Sequence, residues 1–457
     1  MASNLHVLII GAGTAGLMLG VLLERADISY EIFEKTKELR PLGSGIALGA
    51  LSTLFEQLGM WEELKAMSKP FGALRLRNED LSEIGAFRTA GDGVFDVKEV
   101  YGDYSIVVSR PDLIKLLLSR IPPSKIHYNK RVLKTKQGED HVQITCSDDS
   151  VYKGSILVGA DGAYSSVRQN MYQELEKLGQ LPKVDAKPMR FDYDCVVGVT
   201  QPLDPEKFPV VLEEFCEFEI VLGKDIPFAW WFMPLEGRRI GWMIVQDERG
   251  TGEQKNFRYS EWGPEAAETL CKQVAHLPSP YGKHTLGDII GETAKDRITK
   301  VMLEEKCFQT WYHGRTVLLG DACHKMLPFG GQGACCAIQG ALELTNLLYD
   351  MESTSQQGIT KVFEQYYKTR YDVGRTSVNL SSQMGSLMHT QGFLGDCMRR
   401  IALHYTPQWI IRKASDRYNV VPPQLRFLPY VELRGTFKRE HAKHSKKWLA
   451  AQAAMAL

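Results

Sequence analysis

The sequence predicts an α/β protein in which a Rossmann-like domain is interleaved with an antiparallel-sheet domain and followed by a helical C-terminal region. Three observations lead to this reading. Buried apolar runs pass through glycine-rich turns into helices at three places, near residues 5–23, 155–168 and 316–351. Between about 191 and 301 the pattern changes to short β-forming runs with period-two alternation. Beyond Arg375, helical runs such as 397–404 dominate. The expected division is 1–185 for the first part of the nucleotide domain, which lends strands around 72–108 to the second sheet. The sheet domain follows at 186–305, the return of the first domain at 306–374 and the helical region at 375–457.

Composition narrows the class. With 457 residues and 44% hydrophobic content the chain can bury a full core. Lys plus Arg equals Asp plus Glu at 55 each, so no global field draws it to nucleic acid. The nine cysteines form no C-x-x-C pair, which points to a reducing, cytoplasmic setting and away from a metal site or a disulfide framework. No run approaches the roughly 20 apolar residues of a membrane span.

In chain order, the apolar run 5–10 leads into Gly11-Ala12-Gly13-Thr14-Ala15-Gly16 and a helical stretch, and a second strand at 28–33 delivers Glu34. That is the strand, turn, helix and acid of a dinucleotide fingerprint, with the acid placed for ribose hydroxyls; it does not separate NAD from FAD. Residues 40–48, with Gly43, Gly45 and Ala47, offer a second glycine-rich approach to the same ligand. Ser109-Arg110-Pro111-Asp112 reads as a helix start with Ser109 as N-cap. Arg110 is there either a cofactor contact or a surface arginine pairing with Asp112. Residues 155–168 form another buried strand ending in Asp161-Gly162 and a helix start.

The densest signal is Gly320-Asp321-Ala322-Cys323-His324-Lys325-Met326-Leu327-Pro328-Phe329-Gly330-Gly331-Gln332-Gly333. Glycines clear the backbone for a ligand, and the helix that follows offers unpaired N–H groups and a partial positive charge suited to an electron-rich ring. Asp321 is placed to accept hydrogen bonds from a sugar or ribityl chain. Cys335 and Cys336 read as small buried side chains, and His324 as structural.

Together these three ordered signatures resemble the class A flavin-dependent monooxygenases with the para-hydroxybenzoate hydroxylase fold, most like fungal secondary-metabolite epoxidases and hydroxylases. The resemblance implies FAD as cofactor, NADPH as transient reductant, and O2 activated as a C4a-hydroperoxyflavin to epoxidise or hydroxylate an electron-rich small molecule, prenylated or aromatic. It implies a cofactor site made of Gly11, Gly13, Gly16, Glu34, Lys35, Gly45, Ala47, Arg110, Asp161, Asp321, Pro328, Gly331, Gly333 and Ala334. It calls for no catalytic side chain and no metal. Within it, Asp161 serves both nucleotides, Asp321 the ribityl chain, and Pro328 with the glycines the reacting face. The chain departs from the family pattern at Cys335 and at Gln339-Gly340, where an Asn and a Glu-Asp pair are usual. Those departures keep two alternatives open, a non-catalytic flavoprotein of the same fold and a flavin-dependent reductase of isoprenoid double bonds.

The strands of the middle region are expected to cover the flavin, with Trp230, Trp231, Phe232 and Trp242 forming either core or a pocket wall. The basic run from Lys438 to Trp448 reads as a solvated tail in preference to a membrane-resting surface.

Overall fold

The computed structural model describes residues 5–90, 96–249, 264–390, 392–405, 409, 412, 413, 416 and 420–455. Part of the helical region expected at 375–457 therefore lies outside the described residues. Within it, helix Gly392–Arg400 passes into a π-turn at Ile401–Tyr405.

Two sheets organise the chain. The first runs Tyr312–His313, Thr316–Leu318, Ile156–Gly159, His6–Ile10, Ser29–Phe33, Ile126–His127, parallel except at the Tyr312–His313 edge. His6–Ile10 is apolar along nearly its whole length because both faces are covered, as a central parallel strand requires. Helices Thr14–Arg25 and Gly333–Tyr349 pack against each other in this layer, and an antiparallel meander of Val132–Gln137, Val142–Cys146 and Val151–Gly154 joins it.

The second sheet carries the middle of the chain: Thr299–Cys307, Arg190–Val199, Arg239–Asp247, Phe228–Leu235, Cys216–Leu222 and Ser68–Asn78. Its neighbours are antiparallel except Cys216–Leu222 with Ser68–Asn78, which pair parallel. Its two ends are made by strands from the glycine-rich turns. Ile106–Ser109 and Gly45–Leu48 close one end, and His324–Lys325 closes the other. The run expected to be one turn between a strand and a helix thus includes a short strand that ties the two sheets together.

Helix Gln356–His389 extends over roughly 50 Å at the usual rise. Phe363 and Tyr366 in its first half belong to the nucleotide-domain core, while Met388 near its end packs on the second sheet. This helix and strand Thr299–Cys307 run unbroken through residues 374–375 and 305–306, where the sequence suggests borders.

The aromatic run divides by strand alternation, so the four-residue pocket wall does not form. Trp230, Phe232 and Trp242 face a separate core beneath helices Pro264–Val274 and Leu286–Gly291. There Trp230 Nε1 donates to the Pro278 carbonyl at 2.8 Å and Trp242 Nε1 to Thr293 Oγ1 at 2.9 Å. Only Trp231 lies on the opposite face, with Tyr193, Met243 and Phe329. The C-terminal tail docks on the body: Tyr430, His444 and Trp448 stack at centroid separations of 3.8 and 4.3 Å, and Arg434 pairs with Glu56 and Asp103.

Candidate cofactor and active site

The first glycine turn shows three different uses of glycine. Gly11 has φ of +103°, and a Cβ there would lie 2.5 Å from the Ala160 carbonyl oxygen. A Cβ on Gly16 would overlap the Gly11 carbonyl oxygen, so helix Thr14–Arg25 sits directly on the turn. Gly13 faces open space, with nothing within 4 Å of a Cβ. Tight turn, close helix packing and a clear approach are what a pyrophosphate at a helix N-terminus needs. At the neighbouring strand end, Glu34 accepts from Ala12 N at 2.9 Å and from Thr36 N and Oγ1 at 2.9 Å, which fixes its carboxylate beside the turn. Lys35, next along, is exposed.

Asp161 is engaged by the helix it precedes. It accepts from Ser166 N at 2.6 Å, Val167 N at 3.2 Å and the hydroxyls of Ser165 and Ser166, and so shares with the N-cap Ser165 the first-turn N–H groups of helix Ser166–Lys177. Behind this turn the buried Arg168 guanidinium donates to the Ala322 and Ala163 carbonyls and lies over the Phe308 ring, joining the Asp-Gly turn to the Gly-Asp turn. Sequence reasoning did not single out this strut.

Gly320, with φ of +64°, brings Asp321 to the end of strand Thr316–Leu318. Lys325 Nζ lies 2.9 Å from the Asp321 carboxylate, and Arg110 approaches Asp321 closely enough to feel its charge. Burial disfavours the charge on Lys325, but Asp321 outweighs it and holds the ammonium above its ordinary value. Burial lowers the Arg110 value, with Asp321 opposing. Arg110 does not pair with Asp112. Its Nη1 donates to the Leu42 carbonyl at 2.7 Å, and Asp112 pairs with Arg239 at 2.6 Å. Ser109 occupies the N-cap of helix Arg110–Leu118 without capping it. Its buried Oγ is unpartnered, as is that of Ser44, and Arg110 N instead donates to the Ser44 carbonyl.

The third part of the site forms where strand Gly45–Leu48 meets helix Gly333–Tyr349. A Cβ on Gly45 would lie 2.8 Å from Met233 Sδ, and Cys335 Sγ donates to the Ala47 carbonyl at 3.6 Å. Cys335 thus ties the helix to that strand. Gly340 is explained by approach: a Cβ there would lie 3.0 Å from Leu319 and 3.3 Å from the Tyr366 hydroxyl. No side chain caps the helix, so the N–H groups of Gly333 and Ala334 remain at its positive end. Gly331 takes φ of +62°. Pro328 opens a 3₁₀ turn, Pro328–Gly330, that presses Phe329 toward the second sheet. Ser381 Oγ, buried and unpartnered, lies against Gly330. No signal in the sequence pointed to it.

His324 is buried with Nδ1 unpartnered, its ring 5.4 Å from Trp311, and burial lowers its pKa to about 4. The folded value lies below the ordinary 6.5, so the unfolded chain binds more protons between those values. Stability is intact above pH 6.5 and is lost as pH falls toward 4, by up to about 3 kcal/mol for this group. Urea unfolding at pH 7 and pH 5 should show an acid loss that shrinks in His324→Gln; an unchanged loss would place the acid sensitivity elsewhere.

These elements together suit FAD: an open backbone turn at Gly13, an acid beside it, a carboxylate paired with Lys325, and an uncapped helix beside a backbone strand. Residues 4–381 match the FAD binding domain family. The chain is 28% identical over 452 residues to the FAD-dependent monooxygenase ausM of Aspergillus calidoustus, covering 96% of this chain and 92% of that protein. It is 30% identical over 382 residues to the FAD-dependent monooxygenase ptmM of Penicillium ochrochloron, covering 80% and 85%. Among solved structures, Klebsiella pneumoniae HpxO complexed with FAD and uric acid superposes with a TM-score of 0.71 at 18% identity, covering 92% of this chain and 97% of that one. A salicylate hydroxylase substrate complex superposes with a TM-score of 0.65 at 20% identity, covering 93% and 100%. The chain belongs to the FAD binding domain family and is a class A FAD-dependent monooxygenase, an oxidoreductase that acts on a small molecule.

Proposed function

We propose that the enzyme uses NADPH and O2 to place one oxygen atom on an electron-rich carbon–carbon double bond or aromatic ring of a prenylated or aromatic secondary metabolite. One observation carries this reading. The Pro328–Gly330 turn faces an apolar sheet surface, with the Phe329 ring 5.2 Å from Tyr193 and 5.6 Å from Trp231. FAD, once reduced, supplies the activated oxygen. The protein supplies placement and a dry surface.

In this reading Gly11, Gly13 and Gly16 admit the pyrophosphate at the helix N-terminus, Glu34 and Lys35 meet the adenosine end, and Asp161 holds the turn alongside. Asp321 accepts from the ribityl hydroxyls, with Arg110 and Lys325 balancing its charge. Gly45 and Ala47 flank one edge of the ring system. Gly331, Gly333 and Ala334 present N–H groups that favour electron density there. Pro328 shapes the reacting face. The apolar sheet keeps water from it, so the activated oxygen reaches carbon. No side chain is assigned as acid or base.

We also place the enzyme in the cytoplasm, on the strength of its nine free cysteines. Among the described residues no helix is long and apolar enough to cross a membrane. The hydrogen bonds of Ser445 Oγ to Asp350 and of Lys447 Nζ to the Tyr349 carbonyl favour a tail held on the body over one resting on a lipid surface.

The test is NADPH oxidation by the FAD-loaded enzyme with prenylated and phenolic compounds under ¹⁸O2. Stimulated oxidation with one labelled oxygen in the product is expected. Saturation of a double bond under anaerobic conditions would favour a reductase instead, and flavin that NADPH never reduces would favour a non-catalytic flavoprotein.

A further inference from the structure

The face of the second sheet that receives Phe329 is apolar apart from the unpartnered Trp231 Nε1 and is polar at one end. Pairing register divides it into successive rows. Met233, Gly241 and Val199 form the first, then Trp231, Met243 and Val197, then Ala229, Val245 and Cys195, and Tyr193 stands at the last. The first row lies against the cofactor strand: a Cβ on Gly241 would be 2.9 Å from Ser44 Oγ, and Met233 touches Gly45. Three two-residue steps separate it from Tyr193, about 20 Å along the strands.

At the far end two buried polar atoms have no partner, Tyr193 Oη and His389 Nε2, with their rings 4.8 Å apart. Buried polar groups are ordinarily satisfied, and each that is not costs free energy. His389 Nδ1 lies 3.0 Å from the Gly385 carbonyl, which must receive a proton. Burial lowers the His389 pKa, so the ring is neutral, carries its proton on Nδ1 and leaves Nε2 as an acceptor. Arg249 lies over the Tyr193 ring with its guanidinium committed to Asp247. The Tyr193 hydroxyl, itself unpartnered, is free to donate. An acceptor beside a donor matches a hydroxyl, which needs both. Phe329, Met384 and Met388 pack on this face, Phe329 against Tyr193 and His389 themselves, and the two methionines are side chains that repack readily around a ligand.

Resting on the monooxygenase reading above, the geometry points to a substrate that is an apolar molecule bearing a hydroxyl. Its reacting carbon lies beside Pro328, and its hydroxyl is held by Tyr193 and His389, whose rings meet Phe329, the next residue in the chain, at 5.2 and 5.3 Å. These two are specificity-determining residues one side chain removed from the Pro328 turn.

The experiment measures equilibrium binding to the FAD-loaded full chain, read by calorimetry and flavin absorbance. The probes are farnesol, its methyl ether, and farnesene, which has the same skeleton without oxygen. Farnesol should bind roughly five- to tenfold more tightly than either. Tyr193→Phe should weaken farnesol by that factor, leave farnesene unchanged, and not lower the melting temperature of the protein without probe. His389→Phe should act in the same way. Farnesol that fails to bind, that binds no better than farnesene, or that weakens in Tyr193→Phe in step with farnesene would overturn the assignment. If the binding pattern holds while no compound yields labelled product, the oxygenation reading fails and this recognition does not.

Discussion

Asp321→Ala should yield folded protein without flavin. The carboxylate is the acceptor assigned to the ribityl hydroxyls, and hydrogen bonds to a charged acceptor contribute about 1.5–3 kcal/mol each. Losing two amounts to roughly 10²–10⁴-fold in FAD affinity, enough to strip the cofactor during purification. The ratio of flavin to protein absorbance, followed by titration with added FAD, measures it. A second consequence separates cofactor loss from misfolding. Lys325 is largely buried and paired with Asp321 at 2.9 Å, so the single variant also leaves an unbalanced ammonium. Glu304, held in its neutral direction by burial and opposed first by the Tyr164 hydrogen bond, offers only partial compensation. Asp321→Ala with Lys325→Met should therefore recover melting temperature without recovering flavin. Unchanged flavin content in the single variant would remove Asp321 from the cofactor site.

What the sequence made legible follows from locality. Gly11 to Gly16, Glu34 and the run from Gly320 to Gly333 are read from a few contiguous residues whose spacing is set by turn geometry, and the strands and helices around them lie where the patterns place them. The division of Trp230 and Trp242 from Trp231 was implicit in period-two alternation, but which face receives Phe329 depends on the far end of the sheet. That end is closed by His324–Lys325, a strand too short to carry a pattern of its own. Ser381, Arg168, Tyr193 and His389 escaped notice for a related reason. Each acts on a partner distant in sequence, as Arg168 does on Ala322 and Tyr193 on His389. Of the two readings that the sequence leaves to Arg110, packing removes the pairing with Asp112, which goes to Arg239.

The first glycine turn yields the sharpest separation of fold from function. Gly16→Ala should fail to give soluble, folded protein, because its Cβ would overlap the Gly11 carbonyl oxygen and approach the carbonyl carbon to 3.2 Å. Both are backbone atoms of a turn already fixed by Gly11 N donating to the Phe33 carbonyl at 2.9 Å, and by the positive φ of Gly11. Neither can yield without moving strand His6–Ile10 or helix Thr14–Arg25, both in the core. Overpacking of this kind costs 1–3 kcal/mol where side chains can adjust, and more where only backbone can move. Gly13→Ala is the opposite case. Its backbone is extended, with φ of −80° and ψ of −175°, and nothing lies within 4 Å of the added carbon. The variant should melt close to the parent, since alanine restricts the unfolded chain more than glycine does while serving less well at the N-cap that Gly13 occupies. The new methyl group would stand where the pyrophosphate must approach the backbone, and FAD affinity should fall at least tenfold. Circular dichroism and flavin titration on the pair decide the matter: loss of flavin from Gly13→Ala with its fold intact assigns that open space to the cofactor, while full retention would show that the cofactor does not use it.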